Sequence, residues 1–141
     1  MKYVITDTCY WLGLVDSRDE HHKKSILINE LIKDAYIVFP FPCFYEIIRT
    51  KFVKNKIKLD AFESFLKNSK VEYIDDTKYK DEALSKVYEL NKKSFITHSL
   101  TDAVIREMLS DVDLRLDYLV TYNVKDFSDI CAKRKIEILN E

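Results

Sequence analysis

The sequence predicts an α/β fold: a single domain over residues 1–141, with a mostly parallel central sheet and helices on both faces. Three observations predict it. Short runs rich in β-branched and aromatic residues (Tyr3-Val4-Ile5-Thr6, Tyr36-Ile37-Val38-Phe39, Val71-Glu72-Tyr73-Ile74, Tyr118-Leu119-Val120-Thr121) alternate with stretches of helical periodicity. One Gly and two Pro leave little room for a loop-rich architecture. No internal repeat or linker divides the 141 residues, a length that can bury one real core.

Each element has its own justification. Residues 2–6 read as a buried strand closed by Asp7, and the apolar run from Thr8 to Val15 reads as a short helix. Between Arg18 and Lys33, Ile26, Leu27, Leu31 and Ile32 recur at helical spacing. Tyr36–Phe39 is a second strand, stopped by Pro40 and Pro42. A helix from about Cys43 to Lys54 would carry Phe44, Ile47, Ile48 and Phe52. Leu59, Phe62, Phe65 and Leu66 mark the next helix, and Val71–Ile74 a strand. Ala83, Leu84, Val87 and Tyr88 give another helix face, and Ser99 starts a helix that runs to about Ser110. Tyr118–Thr121 is a strand, and the alternation over Lys135–Leu139 predicts a last edge strand.

The totals narrow the function classes. A net charge of −1 gives no general argument for a nucleic-acid partner, although an acidic cleft can offset a basic rim. Cys9, Cys43 and Cys131 are odd in number and form no C-x-x-C pair, which argues against a disulfide framework or a zinc site and for a reducing compartment. The start shows no cleavage-site pattern, and no run approaches the ~20 apolar residues of a membrane span. A cytoplasmic protein without a membrane partner is expected.

Four acids stand where strong strand and helix signals end or begin: Asp7, Glu46, Asp102 and Asp126. Open α/β sheets bind ligands beyond the carboxyl ends of their strands. Carboxylates gathered there, with no His or Cys ligand, suit a hard cation such as Mg²⁺ or Mn²⁺. Such an ion lowers the pKa of a bound water and clamps the attacking and leaving oxygens of a phosphodiester. Each acid also has a plainer reading. Asp7 can cap the helix after it. Glu46, between Tyr45 and Ile47, can sit in a core ion pair. Asp102 completes an S-x-x-D capping pattern with Ser99. Asp126 can be a turn residue.

The joint pattern resembles the PIN-domain nucleases. Asp7-Thr8 closes the first strand, Glu46 lies on a mid-chain helix, and Ser99-Leu100-Thr101-Asp102-Ala103 and Thr121-Tyr122-Asn123-Val124-Lys125-Asp126-Phe127 follow in order. Among that family, a chain of this size is most similar to VapC-type toxins of prokaryotic toxin–antitoxin pairs. The resemblance implies that Asp7, Glu46, Asp102 and Asp126 hold Mg²⁺ or Mn²⁺, and that Thr121 positions a metal-bound water or a ligand carboxylate. Asn123, where some relatives carry a further acid, is a second-rank candidate. The resemblance also implies an RNA substrate, a cognate antitoxin and a homodimer. Cys9 departs from the Asn or Ser that many relatives carry beside the first Asp, and a thiol is a weak hydrogen-bonding group.

Weaker features remain. Arg49, Lys51, Lys54, Lys56 and Lys58, and separately Lys133-Arg134-Lys135, form either an RNA-phosphate contact or a solvated face. His21-His22 reads as surface, and His98 lies just before the Ser99 cap. Tyr10, Trp11, Leu12 and Leu14 offer core packing or a partner surface. Two alternatives to a nuclease stand: a PIN-fold module that binds RNA or protein without cutting, and a doubly wound phosphatase-like enzyme with Asp7 as nucleophile. Cys9 at the position two residues on, where haloacid-dehalogenase-type phosphatases need a second Asp, counts against the latter.

Overall fold

The computed structural model describes residues 1–93 and 97–141. Among these residues five parallel strands form one sheet: β1 (Tyr3–Thr6), β2 (Tyr36–Pro40), β3 (Lys70–Ile74), β4 (Tyr118–Val120) and β5 (Glu137–Leu139). Their spatial order is β3-β2-β1-β4-β5, so the strand order reverses beside β1. The expected sheet is present, and every described strand pair is parallel. Register sets Ile5 against Val38 on one side and against Leu119 on the other.

Consecutive residues of a strand point to opposite faces. Val4, Ile5 and Thr6 are all buried, as are Ile37 to Phe39 and Leu119 with Val120. The sheet is therefore covered on both sides at its three central strands, which is why they read as unbroken apolar runs. The edge strand β3 is more exposed, with Lys70, Glu72 and Tyr73 facing water.

Among the described residues, eight helices supply the cover: α1 (Thr8–Val15), α2 (His22–Leu31), α3 (Pro42–Ile47), α4 (Thr50–Val53), α5 (Lys56–Lys67), α6 (Lys80–Lys93), α7 (Leu100–Ser110) and α8 (Ser128–Arg134). α1 packs on α2, α3 and α5, while α7 packs on α6 and α8. Tyr10, Trp11 and Leu14 of α1 are buried in the core, so they form no partner surface. Trp11 meets Phe39 at 5.6 Å and Phe62 at 5.7 Å between ring centroids, and its indole N–H donates to Thr6 Oγ1 at 2.9 Å. The one polar atom of that ring is thus satisfied inside the core.

Three elements differ from expectation. The helix predicted from Cys43 to Lys54 is two helices, because Ile48 (ψ 62°) and Arg49 (ψ 167°) leave helical geometry. The break turns the chain so that Phe52 meets Phe62 edge-on at 6.1 Å. On α2 the inward face is Ser25 and Ile28, with Ile32 just beyond the helix, while Ile26, Leu27 and Leu31 are exposed. α2 approaches α1 where Gly13 lacks a side chain; a Cβ there would stand 2.6 Å from Ser25 Oγ. α8 was not anticipated; it buries Cys131 and ends in Lys135, in left-handed geometry at φ 58°. Among the described residues no helix is long and apolar enough to cross a membrane.

Candidate active site

Two adjacent parallel strands, β1 and β4, deliver the first residues of the site. The chain leaves β1 at Asp7, which is 2% exposed. Its Oδ1 accepts the Thr8 backbone N–H at 2.7 Å, capping α1. Its Oδ2 accepts the Thr121 hydroxyl at 2.9 Å. Thr121 follows β4, is itself fully buried, and receives the Asn123 backbone N–H on the same oxygen at 3.0 Å. The capping reading of Asp7 is therefore correct, and it leaves room for more, since the other carboxylate oxygen faces β4.

Cys9 contributes where the sequence left doubt. Its Sγ lies 3.6 Å from Asp7 Oδ2 as donor and accepts the Tyr122 N–H at 3.4 Å. Burial and the charge of Asp7 push the thiol up to about 12, so it stays protonated and serves as a spacer between α1 and the segment after β4.

Glu46 comes from α3, and the Thr8 hydroxyl donates to its Oε1 at 2.8 Å. Thr8 thus touches both carboxylates, through its N–H and its hydroxyl, and holds Asp7 and Glu46 on either side of one residue. Asp102 stands at the third position of α7 and completes a capping box. Its N–H donates to Ser99 Oγ at 3.1 Å, and its Oδ2 accepts the Ser99 N–H at 3.3 Å. Asp126 closes a short 3₁₀ turn, Val124–Asp126, whose backbone is pinned by Arg106: Nη1 donates to the Asp126 carbonyl at 2.6 Å. The Arg106 guanidinium also forks onto Asp129 with two bonds of 2.8 Å.

Electrostatics links the four acids. Burial, then the charge of Asp102, raises Asp7 to about 6, against the pull of hydrogen bonds from Thr121, Thr8 and Cys9. Asp102 is also raised, by burial first and then by Asp126 and Glu46, with the Ser99 bonds opposing. Asp102 therefore feels, or is felt by, each of the other three. None of the four carboxylates is in an ion pair with a described lysine, arginine or histidine. All-oxygen donors of this kind have the chemistry that Mg²⁺ or Mn²⁺ prefers. Among the described residues, however, no three acidic, histidine or cysteine side chains stand close enough to hold an ion as they lie.

The remaining candidates sort as follows. Asn123 is exposed, and its backbone N–H is the group tied to Thr121. His98 is tied to α6 through Asn91, which bonds both its backbone N–H and its carbonyl. The His pair is more than surface: the His21 ring stacks on Tyr122 at 4.2 Å, and His22 Nδ1 lies 2.8 Å from the Gly13 carbonyl. Sequence reasoning passed over Thr8 and Arg106. Thr8 lay inside a quoted motif, and only the fold brings its hydroxyl to Glu46. Arg106 carries a signal, since it stands one helical turn after Asp102.

Neither a scan against protein-family models nor a search of curated proteins matches this chain. Solved structures do match. VapBC2 from Rickettsia felis, bound to a DNA fragment from their promoter, aligns at 20% identity and TM-score 0.60, covering 96% of each chain. VapC20 of Mycobacterium tuberculosis, described as a sarcin-ricin loop cleaving toxin, aligns at 10% identity and TM-score 0.64, over 89% of this chain and 94% of that one. DNA-bound VapBC from Salmonella typhimurium aligns at 17% identity and TM-score 0.60, over 98% and 97%. The likeness runs nearly end to end in all three, and it is a likeness of fold: this chain has the PIN-domain fold of the VapC toxins.

Proposed function

We propose, on the premise of the PIN-domain fold, that this single-domain chain is a Mg²⁺- or Mn²⁺-dependent endoribonuclease, the toxin of a toxin–antitoxin pair. The observation that carries the reading is a chain of charge effects among acids with no cationic partner: beyond burial, the charge of Asp102 raises Asp7, and the charges of Asp126 and Glu46 raise Asp102, with Asp7 at the carboxyl end of β1. When bound, the ion supplies an activated water and relief of phosphate charge. The chain's own residues do the rest. Asp7, Glu46, Asp102 and Asp126 would hold the ion, and Thr121, Thr8 and Cys9 fix the Asp7 carboxylate in one orientation. Ser99 holds Asp102, and Arg106 holds the Asp126 turn. Asn123 is close enough in sequence to Thr121 to serve as a secondary contact.

The cytoplasm is the fitting compartment for such an enzyme, with an antitoxin as its restraint and a homodimer as the assembly. One observation favours a second reading, a PIN-fold module that binds without cutting: the described carboxylates do not close to ion-holding distance. A phosphatase-like role for Asp7 is disfavoured, because Cys9 stands where that class needs a second Asp, its thiol held between Asp7 Oδ2 and the Tyr122 N–H.

The test combines activity with a thermal readout. Purified protein incubated with a mixed RNA pool should cut it, EDTA should stop the cutting, and Asp102→Asn should abolish it. Mg²⁺ or Mn²⁺ should raise the Tm of the parent chain through linkage, and raise it less in Asp102→Asn. Equal cleavage in EDTA, or an ion effect on Tm that ignores the substitution, overturns the proposal.

A further inference from the structure

We infer that the groove leading from Glu46 along α4 to the start of α5 is a track for the phosphate backbone of an RNA strand, with Arg49 and Lys51 as its contacts. This rests on the nuclease reading above and assigns the substrate side of that same site. The groove encloses about 290 Å³, and its lining includes Glu46, Arg49, Lys51, Asn55, Lys58 and Asp16. A second hollow of about 310 Å³ shares Asp16, Asn55 and Lys58 with it and continues the path to Ser17 and Arg18. One end of the track is thus a candidate metal ligand, and the path leads away from it between cations.

Charge follows the same line. From Arg49 to Leu59 the chain carries five basic residues and no acid, in a protein whose net charge is −1. Lys58 is neutralised by Asp16 at 3.0 Å and so forms part of the groove's fixed frame. Arg49 and Lys51 are exposed and in no ion pair with a described carboxylate. The break at Ile48 and Arg49 gives this arrangement its shape. The extended Arg49 bends the chain between α3 and α4, and Arg49 and Lys51 line the same hollow as Glu46. A polyanion approaching four carboxylates meets repulsion. Cations beside the cluster offset it and fix the strand's direction without reading its bases.

The test measures salt dependence. Binding of a fluorescently labelled, mixed-sequence oligoribonucleotide is followed across a salt series, in the Asp102→Asn background so that it is not cut. Each phosphate contact contributes about 0.7 to the slope of log affinity against log salt for a single strand. Arg49→Gln with Lys51→Gln should therefore lower the slope by about 1.4, and should raise KM with kcat kept in the otherwise unmodified chain. The control pair is Lys2→Gln with Lys70→Gln, the same charge change at the amino ends of β1 and β3, opposite the site. It should leave the slope unchanged. An unchanged slope in the groove variant, an equal loss in the control, or no RNA binding at all overturns the inference. Cleavage that persists with KM unaltered leaves the nuclease reading standing and removes the groove. Groove-dependent binding by a chain that cuts nothing does the reverse.

Discussion

The Thr121 hydroxyl donates to Asp7 Oδ2 at 2.9 Å across 114 residues of sequence, joining the ends of β1 and β4 where the strand order reverses. Both groups are buried, so neither can exchange this bond for one with water. Thr121→Val keeps the volume but removes the donor to Asp7 and the acceptor of the Asn123 N–H. We expect a loss of about 1–3 kcal/mol in unfolding free energy at pH 7, the usual penalty for stranding buried polar groups. Urea denaturation measures it, and a variant as stable as the parent would show that the bond holds nothing.

Asp7 gives a pH signature. Its carboxyl rises from 3.8 to about 6 on folding, mainly through burial and then through the charge of Asp102. The folded chain therefore binds the proton more tightly than the unfolded one. Stability from this group is full below the unfolded value and is lost as pH rises through about 6. Asp7→Asn carries no such charge. It should be more stable than the parent above pH 6, by up to ~3 kcal/mol for a shift of this size, with the advantage closing toward pH 4, while cleavage is lost. Thermal melts across that window check both the sign and the range.

Gly13 is the chain's sole glycine, and its role is close approach. A Cβ would meet Ser25 Oγ at 2.6 Å, and that oxygen already contacts Tyr122 OH at 2.6 Å and the Tyr10 carbonyl at 3.2 Å. Gly13→Ala forces Ser25 off at least one partner or pushes α2 away from α1. Overpacking of this kind costs about 1–3 kcal/mol. Pairing the change with Ser25→Ala should recover part of the loss; no recovery in the double variant would place the strain elsewhere.

The central strands were legible because burial on both faces demands unbroken apolar runs, and Val4–Thr6 and Ile37–Phe39 have nothing else to be. The inward face of α2 was not. Ile26, Leu27, Ile28, Leu31 and Ile32 can be split into two helical stripes, and only the close passage of Ser25 beside Gly13 selects one. The α3–α4 break leaves no Gly or Pro to mark it; it follows from where Phe52 packs. α8 has seven residues, and its apolar positions, Ile130, Cys131 and Ala132, are consecutive and show no period. In the site, the positions of the four acids at element ends could be read from the sequence. Their supports could not: Thr8 to Glu46 and Cys9 to Tyr122 are contacts between elements that only the sheet order brings together.

Arg106 is the support whose removal should speak most directly about Asp126. It stands on α7 one turn beyond Asp102, and its guanidinium bonds the Asp126 carbonyl at 2.6 Å and both oxygens of Asp129 at 2.8 Å. One helix therefore carries an acid of the site and the clamp on the backbone of another. Lysine keeps the charge but cannot reproduce a planar fork. Arg106→Lys should leave the fold intact while the backbone amides of Asp126 and Phe127, bonded to Asn123 and Val124, exchange faster with solvent than in the parent. Arg106→Ala should go further and cost about 1 kcal/mol, through the lost bond to the half-buried Asp126 carbonyl and the lost pair with the exposed Asp129. The pH dependence has a sign. The hydrogen bonds from Arg106 hold Asp129 at about 2, below its ordinary 3.8, so the stability from this pair is present above 3.8 and is lost as pH falls toward 2. The gap between the parent and Arg106→Ala should accordingly narrow in acid. A gap that stays constant down to the acid limit would mean that Arg106 acts through packing alone, and unchanged exchange at Asp126 in Arg106→Lys would remove its role as the clamp on that turn.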